Sequence, residues 1–147
     1  MEKYAPFHIS VGATAVVDGE EKVWYSNNEE GAPALNLTRE RAHELLEYLD
    51  EMQQKEVIVC AWNGLGFDLK WIGHHANDLA LAARIALKSY DPMFQFFVQR
   101  GFPVGLAKVA DGLGVTETKL MDGADAPTQW AQGNHQLVLD YVAGDCR

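Results

Sequence analysis

The sequence predicts an α/β domain built on a mixed sheet. Three observations carry this: a hairpin signal near the N-terminus, one short continuous apolar run, and helical periodicity over most of the remainder. Residues His8 to Val17 (HISVGATAVV) are β-branched and apolar and read as a strand. They run into Asp18-Gly19, a two-residue hairpin signal, and then into Glu21–Tyr25 (EKVWY), a second strand. A polar loop follows from Asn27 to Pro33. Thr38 caps a helix, with Arg41 where a capping box would place Glu or Gln. Ala42, Leu45, Leu46 and Leu49 form the buried stripe of that helix, which runs to about Gln53.

Val57–Ala61 (VIVCA) is continuously apolar, the mark of a central strand buried on both faces. Gly64 and Gly66 break it, and a helical pattern resumes from Phe67 through Ile72. Asp78 to Leu87 reads as a helix from its propensities. Ser89–Asp91 must be extended before Pro92. Met93–Gln99 and Leu106–Leu113 are helical around a turn at Gly101–Pro103. Met121–Pro127 is a loop, Trp130 lies on a short helical turn, and Asn134 caps a last helix from His135. The sheet is expected to be antiparallel at the hairpin and parallel where the first helix crosses over to the buried strand.

The chain's 147 residues fit one compact domain, with no repeat, low-complexity tract or linker to divide it. A formal net charge of -9 argues against a protein that coats nucleic acid through a broad basic surface. A metal-dependent cleft remains compatible with it, because bound cations recruit phosphate locally. Two cysteines, Cys60 and Cys146, make neither a disulfide framework nor a zinc site. Cys60 reads as a small buried hydrophobe. The opening MEKYAPFH lacks the apolar core of a signal peptide, and no stretch approaches the roughly 18 apolar residues of a membrane span. A cytoplasmic protein that does not enter membranes is expected.

Two constellations carry chemistry. In Asn63-Gly64-Leu65-Gly66-Phe67-Asp68, a carboxylate follows a strand and a glycine turn into the first turn of a helix. Ligand sites gather at such strand ends, and the positive helix end favours the ionised, metal-binding form of Asp68. Stabilisation of the helix start is the simpler alternative. On the last helix, Tyr141 and Asp145 are spaced i, i+4 and share a face, so a phenol and a carboxylate can converge. A half-buried tyrosine and a solvated aspartate would fit the same spacing.

Taken in order, these motifs resemble the DEDD superfamily of RNase H-like 3′→5′ exonucleases. Asn-Gly-x-x-Phe-Asp is similar to the second motif of its DNA polymerase B-like branch, and Tyr-x-x-x-Asp to the third motif of the tyrosine-bearing subclass. Between them, Ser89–Phe97 with Asp91, Gly101 to Leu106, and Gly123 to Pro127 before Trp130 and Gly133 also look like this branch. The resemblance implies an RNase H-like mixed sheet with an antiparallel hairpin and flanking helices. It also implies two-metal phosphodiester hydrolysis with Mg²⁺ or Mn²⁺. Asp145 would bind the metal that holds the nucleophile, Asp68 the second metal, and Tyr141 would orient the attacking water. Asn63 and Gly64 would line the substrate cleft. The substrate would be a single-stranded or frayed DNA or RNA 3′ end, releasing 5′-mononucleotides.

One departure bears on activity. The family carries an Asp-x-Glu on a first strand upstream of the hairpin, and here the chain opens just before what matches the second strand. The first strand is therefore expected to be missing. Asp18-Gly19-Glu20 spells the pattern but sits on the hairpin turn, where Asp-Gly has its own backbone reason. The chain also stops shortly after Asp145. A partial domain is expected, with poor Mg²⁺ affinity, negligible nuclease activity, and self-association through an exposed sheet edge. The alternative is a non-catalytic RNase H-like module that binds nucleic acid or a protein. His74-His75 reads as a polar helix end, His135 as a helix-start residue, and most of the four tryptophans as core. Asp122 and Asp125 read as turn formers.

Overall fold

In the computed structural model, which describes residues 7–115 and 120–146, two strands precede seven helices. They are β1 (Gly12–Ala15), β2 (Glu21–Trp24), α1 (Arg39–Gln54), α2 (Asp68–Ala76), α3 (Leu79–Ala86), α4 (Pro92–Arg100), α5 (Leu106–Gly112), α6 (Ala126–Ala131) and α7 (His135–Gly144). The described residues form two compact units. The first is Phe7 with residues 42–115; the second is residues 8–41 with 120–146.

The second unit begins with the predicted hairpin. β1 and β2 pair antiparallel with Gly12 opposite Trp24 and Ala15 opposite Glu21. The turn is longer than the two-residue loop that Asp18-Gly19 suggests. The Val16 amide donates to the Glu20 carbonyl, leaving residues 17–19 as the loop, with Asp18 at a positive φ of 55°. Asp18 and Glu20 thus belong to the turn, and Glu20 pairs with Lys22 at 3.6 Å. Thr38 caps α1 as expected, its hydroxyl accepting from the Arg41 amide at 3.1 Å. Trp24, Leu37, Trp130, Val138 and Tyr141 supply the buried apolar surface of this unit. Trp130 also donates from Nε1 to the Ala34 carbonyl. Asn134 takes the N-cap position of α7, but its side chain donates to Gln129 instead of capping the helix.

The first unit buries the stripe that the helical period marks out. Ala42 and Leu46 of α1 pack with Leu69 and Ala76 of α2 and Leu81, Ala82 and Ile85 of α3, with Leu49 and Ile72 at the margin. Asp78 caps α3 by accepting from the Leu81 amide. Across the outside, Arg84 reaches the Asp50 carboxylate with Nε at 3.2 Å and Nη2 at 2.9 Å, tying α3 to α1. Helices α2 and α3 approach closely because Gly73 faces Ala82: a Cβ built on Gly73 would lie 2.6 Å from the Ala82 Cβ.

The mixed sheet does not form among the described residues; the two-stranded hairpin is the sheet. Val57–Ala61 makes only a single parallel bridge, Cys60 to Tyr90, through Tyr90 N–H to Val59 O and Ala61 N–H to Tyr90 O. A strand buried on both faces needs neighbours on both edges, and this one has a bridge on one. Nor are its faces covered: Ile58 is 72% exposed, Val59 and Ala61 are half-buried, and Cys60 is an exposed free thiol instead of a buried hydrophobe. Among the described residues no helix is long and apolar enough to cross a membrane.

The close α2–α3 contact gives a direct test. Gly73→Ala should gain about 1 kcal/mol of helix propensity yet lose about 1–3 kcal/mol net from overpacking against Ala82. In an Ala82→Gly background the same substitution should cost far less. Urea unfolding of the four proteins of the cycle reads this; additive costs would show that the two positions do not meet.

Candidate active site

The first candidate site is built by a loop and a buried carboxylate. Residues 62–67 turn from the extended segment into α2 with Asn63 in the left-handed region, φ 61°. Asparagine tolerates that conformation better than most residues, through local hydrogen bonding by its short side chain. Gly64 is required by contact, since a Cβ there would lie 2.5 Å from the Ala61 Cβ; one on Gly66 would lie 2.5 Å from Asn63 Oδ1 and displace that side chain. What holds the turn is Asp91, which is 5% exposed. Its Oδ1 accepts from the Asn63 amide at 3.0 Å and the Phe94 amide at 3.2 Å, and its Oδ2 from the Leu65 amide at 3.1 Å. Asp91 therefore caps α4 and pins the loop that leads into α2, while Pro92 starts α4.

Asp68 follows as the first residue of α2 and is exposed. Protein crowding around the carboxylate raises its pKa above the ordinary value. Its own backbone N–H opposes this, and the nearby negative charge of Asp91 adds to the rise. Because the residue as a whole remains open to solvent, water moderates the burial effect. Asn63, Gly64 and Asp68 are thus brought together on one short segment. Beside them, Trp62, Asn63, Met93 and Pro103 to Gly105 line a shallow hollow, where Trp62 Nε1 donates to the Val104 carbonyl at 3.1 Å.

A separate candidate pair lies at the end of α7, in the second unit. Tyr141 is buried, and its hydroxyl bonds to the Asp145 carboxylate; Asp145 is exposed, one residue past the helix. The Asp145 amide donates to the Tyr141 carbonyl, so the i, i+4 relation read from the sequence holds through the last turn. The phenol is pushed up to about 12, first by burial, then by the hydrogen bond to Asp145, with the charges of Asp145 and Asp122 adding to it. Tyr141 is therefore a protonated hydrogen-bond donor at neutral pH and not a base. Asp145, at a helix C-terminus, sits where the helix dipole disfavours an anion.

Two site residues were missed by sequence reasoning. Asp91 had a local signal, an aspartate before the proline that opens a helix, but its bonds to Asn63 and Leu65 span 28 and 26 residues. Gly123 was marked only as part of a stretch resembling the family, with no sign of its contact: a Cβ there would lie 3.0 Å from the Tyr141 hydroxyl. Asp122 is a turn former as expected, accepting from the Ala124 amide, and it also acts electrostatically on Tyr141. His74 stacks on Trp71 and His135 lies edge-on to Trp130 at 4.6 Å, which accounts for both as packing residues. Trp24, Trp71 and Trp130 are core, and Trp62 is half-buried.

Exposed carboxylates in locally negative surroundings are suitable donors for a hard divalent cation. Among the described residues, however, no group of three or more His, Cys, Asp or Glu could hold a metal ion.

Asp91→Ala should destabilise the protein by about 2–4 kcal/mol, because it strands the amides of Asn63, Leu65 and Phe94. Urea unfolding measures this, and a loss below about 0.5 kcal/mol, the size of an ordinary surface change, would refute the role. For Tyr141, the folded pKa lies above the ordinary phenol value of about 10. Its contribution to stability is therefore fully present below that pH and is lost as pH rises through about 12. Ultraviolet alkaline titration in EDTA should find one of the five tyrosines titrating late. Asp145→Asn should bring it earlier; an unaltered titration would break the assigned hydrogen bond.

Comparison with known proteins assigns the chain to a superfamily without pointing to an individual relative. No curated protein and no solved structure shows significant similarity to the chain. A family model described as the RNase H superfamily matches residues 7–145, nearly the whole sequence. The match covers both the Asn63–Asp68 loop and the Tyr141–Asp145 pair, and the chain belongs to the RNase H superfamily.

Proposed function

We propose that the chain is a 3′→5′ exonuclease domain of the tyrosine-bearing DEDD type, in the DNA polymerase B-like branch, acting on single-stranded or frayed 3′ ends. The observation that carries this reading is the Tyr141–Asp145 pair, a protonated phenol hydrogen-bonded to an exposed carboxylate. It lies within the same superfamily match as the Asn63–Asp68 loop. Superfamily membership by itself supports a nuclease or a nucleic-acid-related module.

In the proposed reaction, water adds to phosphorus, the P–O3′ bond breaks, the departing 3′ oxygen takes up a proton, and a 5′-mononucleotide leaves. Asp68 and Asp145 would hold Mg²⁺ or Mn²⁺, which supplies charge neutralisation at the phosphate. Tyr141 would orient the attacking water by accepting a hydrogen bond at its hydroxyl oxygen, while its own proton stays on the bond to Asp145. Asn63 and Gly64 border the strand, on a turn that Asp91 holds rigid. A second reading, a non-catalytic nucleic-acid- or protein-binding module, is favoured by the lack of a three-ligand group among the described residues.

The expected outcome for the 147-residue chain is weak Mn²⁺ binding and negligible hydrolysis. Mn²⁺ should broaden amide NMR signals at Asp68 and Asp145 before others. Broadening elsewhere, with neither of these affected, would refute the metal assignment. Robust Mn²⁺-dependent release of mononucleotides from a 3′-labelled oligonucleotide, abolished by Asp68→Ala, would overturn the expected inactivity and eliminate the non-catalytic reading.

A further inference from the structure

Two residues that the hydrolytic reading leaves aside, Trp62 and Met93, meet in the hollow beside the Asn63–Asp68 loop, within the first unit. Trp62, Asn63, Met93, Pro103, Val104 and Gly105 line it, and its volume is ≈ 310 Å³. That lies at the small end of ligand clefts, which run from about 300 to 1,000 Å³. None of the six side chains is charged. Trp62 is half-buried, and its Nε1 donates to the Val104 carbonyl at 3.1 Å, so two lining residues hold each other. Asp91 fixes the rest: it accepts from the Asn63 amide and caps α4, whose second residue is Met93. With the indole N–H committed, the Asn63 carboxamide is the remaining strong hydrogen-bonding side chain among the six.

We propose that this hollow holds one nucleobase of the strand, stacked on Trp62 with its polar edge bonded to the Asn63 carboxamide. An indole and a thioether give a base dispersion contact, and base–aromatic stacking anchors single strands without regard to sequence. A lining without charge suits the base and leaves the phosphate outside. One amide among apolar groups matches a flat ring with donors and acceptors on its rim. A hydrocarbon side chain of a protein would leave that amide unpaired. Because Val104 and Asp91 already hold the indole and the loop, little ordering is needed when the base arrives. Asn63 and Asp68 share one short segment, so the hollow is continuous with the proposed hydrolytic site. The inference rests on the proposed function in taking its ligand from a nucleic-acid strand.

The test is a ¹H–¹⁵N NMR titration of the full chain with adenosine in EDTA. Adenosine carries a base and no phosphate, and without metal no hydrolysis is asked of the protein. The Trp62 indole N–H and the Asn63 carboxamide signals should shift saturably, and ribose should leave them still. Gly105 lines the hollow, and a Cβ there would meet nothing within 4 Å. Gly105→Leu can therefore crowd the hollow without displacing a neighbour, and it should weaken adenosine severalfold. Trp62→Leu removes the stacking ring and should weaken it about fivefold or more. Val98→Leu, at an exposed position of α4 outside the lining, should not. Circular dichroism melting confirms folding, and Gly105→Leu decides if Trp62→Leu unfolds. Absent shifts, equal shifts with ribose, unchanged affinity in Gly105→Leu, or N-acetylphenylalaninamide binding as tightly as adenosine would each overturn the proposal. Mn²⁺-dependent hydrolysis beside such a result would leave the proposed function standing, and adenosine binding by an inactive chain would leave this inference standing.

Discussion

Burying a carboxylate is unfavourable unless enough donors surround it, and that requirement organises the first unit around Asp91. The side chain collects three backbone amides, from Asn63, Leu65 and Phe94. To deliver the first two, the chain must turn tightly after Ala61, which forces Asn63 to a positive φ and leaves no room for a Cβ at Gly64. The same turn aims the chain into α2 and sets Asp68 at its start. One residue thus couples a helix cap, a loop conformation and the position of a candidate ligand. Its charge also weighs on Asp68 and on the Cys60 thiol, whose pKa is raised first by burial and then by Asp91.

The second unit solves a different problem. Tyr141 must present a hydroxyl at the end of a helix whose carbonyl dipoles repel anions, and it does so by staying neutral. Burial of the ring and the bond to Asp145 both favour the protonated phenol. The loop at Asp122–Gly123 lies against that hydroxyl, and a Cβ on Gly123 would press on it at 3.0 Å. The contacts that bury Tyr141 also set its protonation, so substitutions around it would disturb both.

Much of this was legible in the sequence because it is local. The Thr38 cap, the α1 stripe of Ala42, Leu45 and Leu46, the hairpin and the i, i+4 pair of Tyr141 and Asp145 all depend on neighbours within a few residues. The positions of Asn63, Gly64 and Asp68 on one turn were legible as well. The partner that holds the turn was not, since Asp91 is far along the chain. Val57–Ala61 shows the opposite failure. Its composition is that of a central strand, but composition states only what a segment can pair with, and pairing depends on which neighbours are present. Asn134 likewise has the right residue type for a cap and spends its side chain on Gln129.

That apolar segment has a practical side. Along Val57–Ala61, residues face different demands: Val59 and Ala61 bond to Tyr90 on either side of the Cys60 bridge, while Ile58 takes no part in it. Residue 58 is therefore a place where a lysine could be written in without touching the Tyr90 bridge or the Asp91 turn. Natural sheets use such charges as gatekeepers on their edges. Protein engineering for handling at high concentration could begin at that one residue, leaving the Asn63–Asp68 loop and the Tyr141–Asp145 pair as they are.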